Sequence, residues 1–395
     1  MVMSAPLYLD HNATTPVDPV VMDAMLPFMT AQFANPSATY ASGRLSRRAI
    51  DRAREQVAAA IDADPSEVVF TASGSEANNL LIQGLARAYR AETGALVHLA
   101  CAATEHPCVL APMRALQQEG YGFSTLPVSA QGVISKTAMT ALPAQTTLTS
   151  VMMANNETGV VQSVAELAGA FRAGHQGWCH TDAVQAFGKQ RLSFRDLHDA
   201  GVSAMTISGH KVGGPKGAAA LVRDRELPMQ PMIYGGGQEG GLRSGTENVA
   251  AIVGFGLACE RASADLAARA KRALECQTWL EQALRQRGAV IFGDEVVRLP
   301  NTTYAAFPGI DGETLVSLLD RQHVAISSGA ACGSGKAGVS PVLQAMGVDP
   351  VLAKGAIRIS LGMMSHAASD RESVERFVAQ LDVVLGQLQR FAAVA

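Results

Sequence analysis

Short apolar segments alternate with helical ones over roughly residues 44–224, and no other feature restricts the fold of this chain as much. "EVVFTA", "ALVHLA", "TTLTSVMMA", "WCHTDAV", "AMTISG" and "GAAALVRD" (217–224) read as six short strands bounded by turn residues. Around and between them lie helical patterns. "RLSRRAIDRAREQVAAAIDA" places Ile50, Ala53, Val57 and Ile61 on one apolar stripe. "SGSEANNLLIQGLARAYRA" turns into a helix behind the first strand, and 107–118 and 163–173 carry further helical patterns. Strands joined by helical crossovers predict an α/β fold with a mostly parallel sheet covered on both faces.

Past the Gly-rich "YGGGQEGGLRSGT" the pattern changes. A long Ala-rich helical region over 246–288 precedes short segments at "AVIFG", "NTTYAAF", "TLVSLLD", "HVAISSG" and "AIRISLG", and a helix closes the chain near 368–392. This part reads as a smaller α+β domain, with the boundary near 262 inside the helical region. A length of 395 residues suits two domains. With 48% hydrophobic and 17% charged residues there is ample material for a core.

A net charge of −3 gives no reason to expect nucleic acid or an acidic membrane as partner. No apolar run approaches the roughly 18–20 residues that cross a bilayer. "MVMSAPLYLDHNATTP" has no basic n-region, so a cytoplasmic protein is expected. Six scattered cysteines without a C-x-x-C predict reduced thiols. Cys101, His106 and Cys108 fall close together in "CAATEHPC", but the spacing matches no familiar zinc site. No metal is expected, and the cysteines read as structural beside an independently useful histidine.

Ligands of open α/β sheets bind beyond the carboxyl ends of the strands, and polar clusters fall at such ends here. "TASGSEANN" puts Gly74 and Ser75 at a helix start, where backbone N–H groups suit a phosphate. "TEHP", "NNETG" and "TDAVQ" close three other strands. In "TISGHKVGGPKG", Lys211 follows an apolar strand; a lysine withdrawn from water loses proton affinity and can form a Schiff base. Only seven of the 32 basic residues are lysines, so each draws notice. Asp182, at a strand end upstream, is the carboxylate that a pyridinium nitrogen needs. Pyridoxal 5'-phosphate (PLP) unites these features, with Gly74, Ser75, Ser208, His210 and Thr246 as phosphate candidates.

Other patterns carry less. "GGGQEG" and "GSGKAG" fit G-x-G-x-x-G, but neither opens a helix directly after a strand, so a dinucleotide site is not expected. Cys332, in "ISSGAACGSGKAG", has neither the branched apolar neighbours of a structural thiol nor a nearby second cysteine. Its small neighbours suit a mobile mount.

Together these residues make the chain resemble the cysteine desulfurases of the NifS and IscS type, in the class V aminotransferase group. The resemblance runs from "YLDHNATTPVDP" to "IRISLG" through "FANPS", "SGSEANN", "TEHP", "NNETGVVQ", "TDAVQAFGK", "SGHKVGGPKG", "GGGQEGGLRSGT" and "SSGAAC". It implies the PLP-dependent transferase fold (fold type I), with a large PLP-binding domain at 15–262 built on a mostly parallel seven-stranded sheet. Residues 263–395 would form the smaller α+β domain, on which segment 1–14 packs.

The roles that the resemblance implies are these. Lys211 would anchor the cofactor as a Schiff base and move protons. Asp182 would hold the ring nitrogen protonated, Gln185 would bond the phenolic oxygen, and His106 would stack on the ring and act in acid–base steps. Gly74, Ser75, Ser208 and His210 would bind the phosphate, with Thr246 reaching in from the other subunit of a homodimer. Asn156 and Arg358 would orient L-cysteine, the planar fork of Arg358 matching its carboxylate. Cys332 would take the sulfur as a persulfide, leaving L-alanine, and pass it to an acceptor such as an iron–sulfur scaffold.

Ser75 stands where Thr is common in such proteins and Tyr40 where His is common, while the loop after Cys332 is unusually Gly-rich and carries Lys336. A selenocysteine lyase, another class V transaminase or lyase, and a mainly non-catalytic assembly platform are the competing readings.

Overall fold

A computed structural model describes residues 6–328 and 338–392. In chain order its strands are β1 (Leu7–Tyr8), β2 (Val68–Thr71), β3 (His98–Ala102), β4 (Gly122–Leu126), β5 (Thr146–Ser150), β6 (Trp178–Asp182), β7 (Val202–Ser208), β8 (Ala219–Arg223), β9 (Val290–Ile291), β10 (Thr302–Ala306), β11 (Val324–Ala325) and β12 (Ala356–Ser360).

Seven of them form the central sheet, in the order β2-β8-β7-β6-β5-β3-β4. The pairs from β7 through β4 are parallel, and β8 runs antiparallel to both β2 and β7. Every residue of β2, β5 and β7 is buried. That is the pattern of strands covered by helices on both faces, even though β5, TTLTS, is mostly threonine and serine. The fold is α/β with a mostly parallel seven-stranded sheet, as the sequence predicts.

One strand of the central sheet escapes the sequence reading. β4, "GFSTL", lies at the sheet edge and buries only Leu126, so its residues carry no apolar run. The helices Gly74–Thr93, Pro107–Gln118 and Val164–Arg172 fall where expected. The predicted helical region 246–288 differs: it is two helices, Val249–Ser263 and Leu266–Arg285. Ala264 is extended and Asp265 has a φ of 51° between them. Neither residue is Gly or Pro, so the helical pattern runs across the break unmarked.

Two large apolar cores flank this break. One gathers Ile50, Val57, Phe70, Phe171, Ile207 and Phe255 against the central sheet. The other joins Leu7 and Leu9 to Leu280, Leu284, Phe307, Ile357 and Phe377, beside the antiparallel sheet β12-β10-β9. Burying each such side chain contributes about 1.5–3 kcal/mol. Strand β1 pairs in parallel with β11, and the chain then crosses between the cores. His11 N–H donates to Ser360 O at 3.2 Å, and Thr15 N–H to His210 O at 3.1 Å. Residues 10–15 therefore bridge the second sheet and the carboxyl end of β7.

Candidate active site

Asp182 closes β6 with its carboxylate buried. Its Oδ2 accepts from Asn78 Nδ2 at 2.8 Å, and its Oδ1 from Val184 N–H at 3.0 Å. The Cys108 thiol lies 3.8 Å from Oδ2. These donors are all neutral, and among the described residues no cation forms an ion pair with Asp182. A buried carboxylate with only neutral donors suits a cationic group placed against it.

His106 caps the helix Pro107–Gln118, taking Cys108 N–H on Nδ1 at 3.2 Å. That acceptor role leaves the neutral ring's proton on Nε2. Burial pushes the His106 pKa down, Asp182 opposes the shift, and Lys211 reinforces it. Glu105, beside it, is fully buried; burial and then Asp182 hold its carboxyl far above the carboxylate range. One of its oxygens accepts Met152 N–H.

Gly74 starts the helix Gly74–Thr93 behind the Ser73 cap, so its own N–H has no intrahelical acceptor. A Cβ on Gly74 would stand 3.0 Å from Val184 Cγ2 and 4.0 Å from Ser208 Cβ. This glycine thus keeps the helix start open next to Ser208, which closes β7. His210 lies in the following turn, with Nδ1 3.2 Å from Thr14 Oγ1; burial, then Lys211 and Lys216, lower its pKa to about 4.

Lys211 ends that turn. Its Nζ donates to Asn12 O at 2.5 Å and to Ala13 O at 2.7 Å. Gln185 Nε2 donates to the same Asn12 oxygen at 2.9 Å. The Asn12 side chain donates to Asn156 O at 3.1 Å and to Thr302 Oγ1 at 2.9 Å. Arg358, buried on β12, donates from Nη1 to Asn156 O at 3.0 Å and from Nη2 to Asp10 Oδ1 at 2.7 Å. Its Nε is buried without a partner. A donor left over on a buried guanidinium beside this cluster suits a carboxylate ligand.

The structure thus brings Lys211, Asp182, His106, Gln185, Gly74, Ser208, His210, Asn156 and Arg358 to the carboxyl ends of the central strands and the facing β12. Asn156 enters these contacts through its backbone oxygen. Ser75 is exposed beside Gly74, and Thr246 is exposed and takes no part in them. Cys332 lies outside the described residues. The described residues on either side of it are anchored: Ser327 pairs with Arg358 through two backbone hydrogen bonds, and the buried Ser340 donates to Glu157.

Sequence reasoning missed Asn12, Asn78, Cys108 and Lys189. Cys108, read as structural, contacts both His106 and Asp182. Lys189 is one of the few lysines and sits in "TDAVQAFGK", a signal that the chemistry of Lys211 overshadowed.

The aminotransferase class-V model matches residues 7–377. Human cysteine desulfurase is 41% identical over 379 residues, covering 94% of this chain and 81% of the relative. A solved NifS-like protein superposes with a TM-score of 0.89 at 34% identity, over 96% of this chain and 99% of that one. SspA, solved in complex with cysteine, gives 0.78 at 34% identity, over 90% and 99%. The chain belongs to the aminotransferase class-V family, and PLP is its cofactor. Within that family it belongs with the cysteine desulfurases. The Asp182 carboxylate with its neutral donors, the open helix start at Gly74 and the half-buried Lys211 amine fit that group.

Proposed function

We propose that this chain removes the sulfur of L-cysteine, giving L-alanine and a persulfide on Cys332. The observation that carries the reading is one hydrogen-bonded chain, Lys211–Asn12–Asn156–Arg358. It links an amine for the cofactor to a guanidinium for a carboxylate. Bound PLP supplies an electron sink at the substrate carbon.

The chain's own residues do the rest. Asp182 would keep a proton on the ring nitrogen, Gln185 would donate to the phenolic oxygen, and His106 would lie against the ring with its proton on Nε2. Gly74, Ser75, Ser208 and His210 would hold the phosphate, and Thr246 would contribute to the phosphate site of the other subunit. Arg358 and Asn156 orient the substrate carboxylate, and Lys211 moves the proton at Cα. The Cys332 thiolate bonds to the substrate sulfur as the carbon–sulfur bond breaks. Its electron pair stays with the carbon, which is then protonated to alanine.

Lys211→Ala is expected to lose the cofactor's visible band and alanine formation. Cys332→Ala is expected to bind cysteine yet release no sulfide; sulfide at the wild-type rate would overturn the role of Cys332.

We place the protein in the cytoplasm as a homodimer that passes sulfur to acceptor proteins, an iron–sulfur scaffold among them. Five described cysteines are free thiols, which suits a reducing compartment. No helix among the described residues is long and apolar enough to cross a membrane. Leu26, Met29, Phe33 and Tyr40 expose 52%, 63%, 79% and 60% of their surface within one short segment, as a subunit interface requires. The large domain is assigned to 15–262 and the small one to 263–395.

A further inference from the structure

Lys189 is buried, yet its amine touches no carboxylate among the described residues. Nζ donates instead to Asn12 Oδ1 at 2.6 Å and Gln185 Oε1 at 2.7 Å. Among the described residues, the charged and titratable groups facing it are Lys211, Arg358 and His11. Burial, then Lys211 and Arg358, push its pKa well below the ordinary lysine value. An amine kept here against that cost needs a reason that an apolar side chain of similar volume would not supply.

The two amides it touches supply one. An amide offers one acceptor end and one donor end, and an ammonium only donates. With Oε1 committed to Lys189, Gln185 turns Nε2 the other way, to the carbonyl oxygen that also holds Lys211 Nζ. With Oδ1 committed, Asn12 turns its own nitrogen to Asn156 O, the oxygen that Arg358 holds. Gly188 aims Lys189 inward: its φ is 73°, and a Cβ there would stand 2.5 Å from Val212 Cγ1, next to Lys211.

We propose that Lys189 is a positioning residue that locks the Gln185 amide with its nitrogen, not its oxygen, toward Lys211 and the cofactor's phenolic oxygen, and orients Asn12 toward the substrate side in the same way. The inference rests on the role proposed for Gln185. Without Lys189 the amide is free to flip, presenting an acceptor to an acceptor.

The test is a pH titration of the visible band of PLP-loaded enzyme, read without substrate. Gln185→Ala is expected to raise the midpoint by about one pH unit, the size of a lost hydrogen bond to a charged group. Lys189→Met is expected to raise it by a similar amount, and the double variant no further than Gln185→Ala alone. A Lys189→Met shift that adds fully to that of Gln185→Ala means that Lys189 acts only through its charge, and overturns the proposal. No shift in Lys189→Met overturns it too, whereas no shift in Gln185→Ala overturns the underlying reading of Gln185.

If thermal melting shows that Lys189→Met does not fold, Lys189→Gln decides, since it keeps a donor without the charge. A wild-type midpoint supports the proposal, and a shift additive with Gln185→Ala sinks it.

Discussion

The energetics at Asp182 turn on the neutrality of its neighbours. Asn78 and Val184 hold the carboxylate without cancelling its charge, which leaves that charge for a cationic group placed against it. Asp182→Asn removes that charge while keeping the shape. PLP affinity is expected to fall roughly 10- to 100-fold, the equivalent of about 1.5–3 kcal/mol for a charged hydrogen bond, measured by cofactor titration of apoprotein. Arg358→Lys replaces a fork by a point charge. KM for cysteine is expected to rise at least roughly tenfold while the cofactor spectrum stays unchanged. Lys211 and Asp182 drew notice in the sequence because each is a charge at the end of an apolar strand, whereas Arg358 entered only through the family resemblance. Asn12 and Asn78 drew no notice. Each is an unremarkable polar residue until folding sets it against a partner far along the chain, Thr302 for one and Asp182 for the other.

Three strands of the central sheet are tied by one buried imidazole. His180, on β6, bonds Ser150 on β5 at 2.8 Å and Thr206 on β7 at 3.1 Å. Burial holds its pKa down to about 3. The unfolded chain takes up a proton there near pH 6.5, and the folded chain does not. Stability is therefore expected to fall as pH drops below about 6.5, by up to about 1.4 kcal/mol per pH unit from this residue, and to keep falling toward pH 3. The loss of Tm between pH 7 and pH 5 should be smaller in His180→Gln than in wild type. At the turn after β6, Gly188→Ala forces a Cβ against Val212 at a positive φ. A loss of about 1–3 kcal/mol is expected in chemical denaturation. Elements with a continuous apolar face were readable in advance. β4 and the break at Ala264–Asp265 were not, because an edge strand needs no apolar run and the break has no Gly or Pro.

The segment from Leu26 to Tyr40 leaves four large apolar side chains, Leu26, Met29, Phe33 and Tyr40, in water. Burial of that patch by a second copy predicts a dimer in light scattering, and Phe33→Glu combined with Leu26→Glu should shift it to monomer. Unchanged dimers would assign the interface elsewhere. Read as a string, the chain already held its strand–helix alternation, its class of cofactor and the candidates Lys211 and Asp182. Periodicity and the chemistry of single side chains are local properties, written in consecutive letters. The register of β8 against β2, the hub at Asn12 and the contact of Lys189 with Asn12 came with folding. Each depends on groups distant in sequence meeting at hydrogen-bond distance, and no local pattern encodes that meeting.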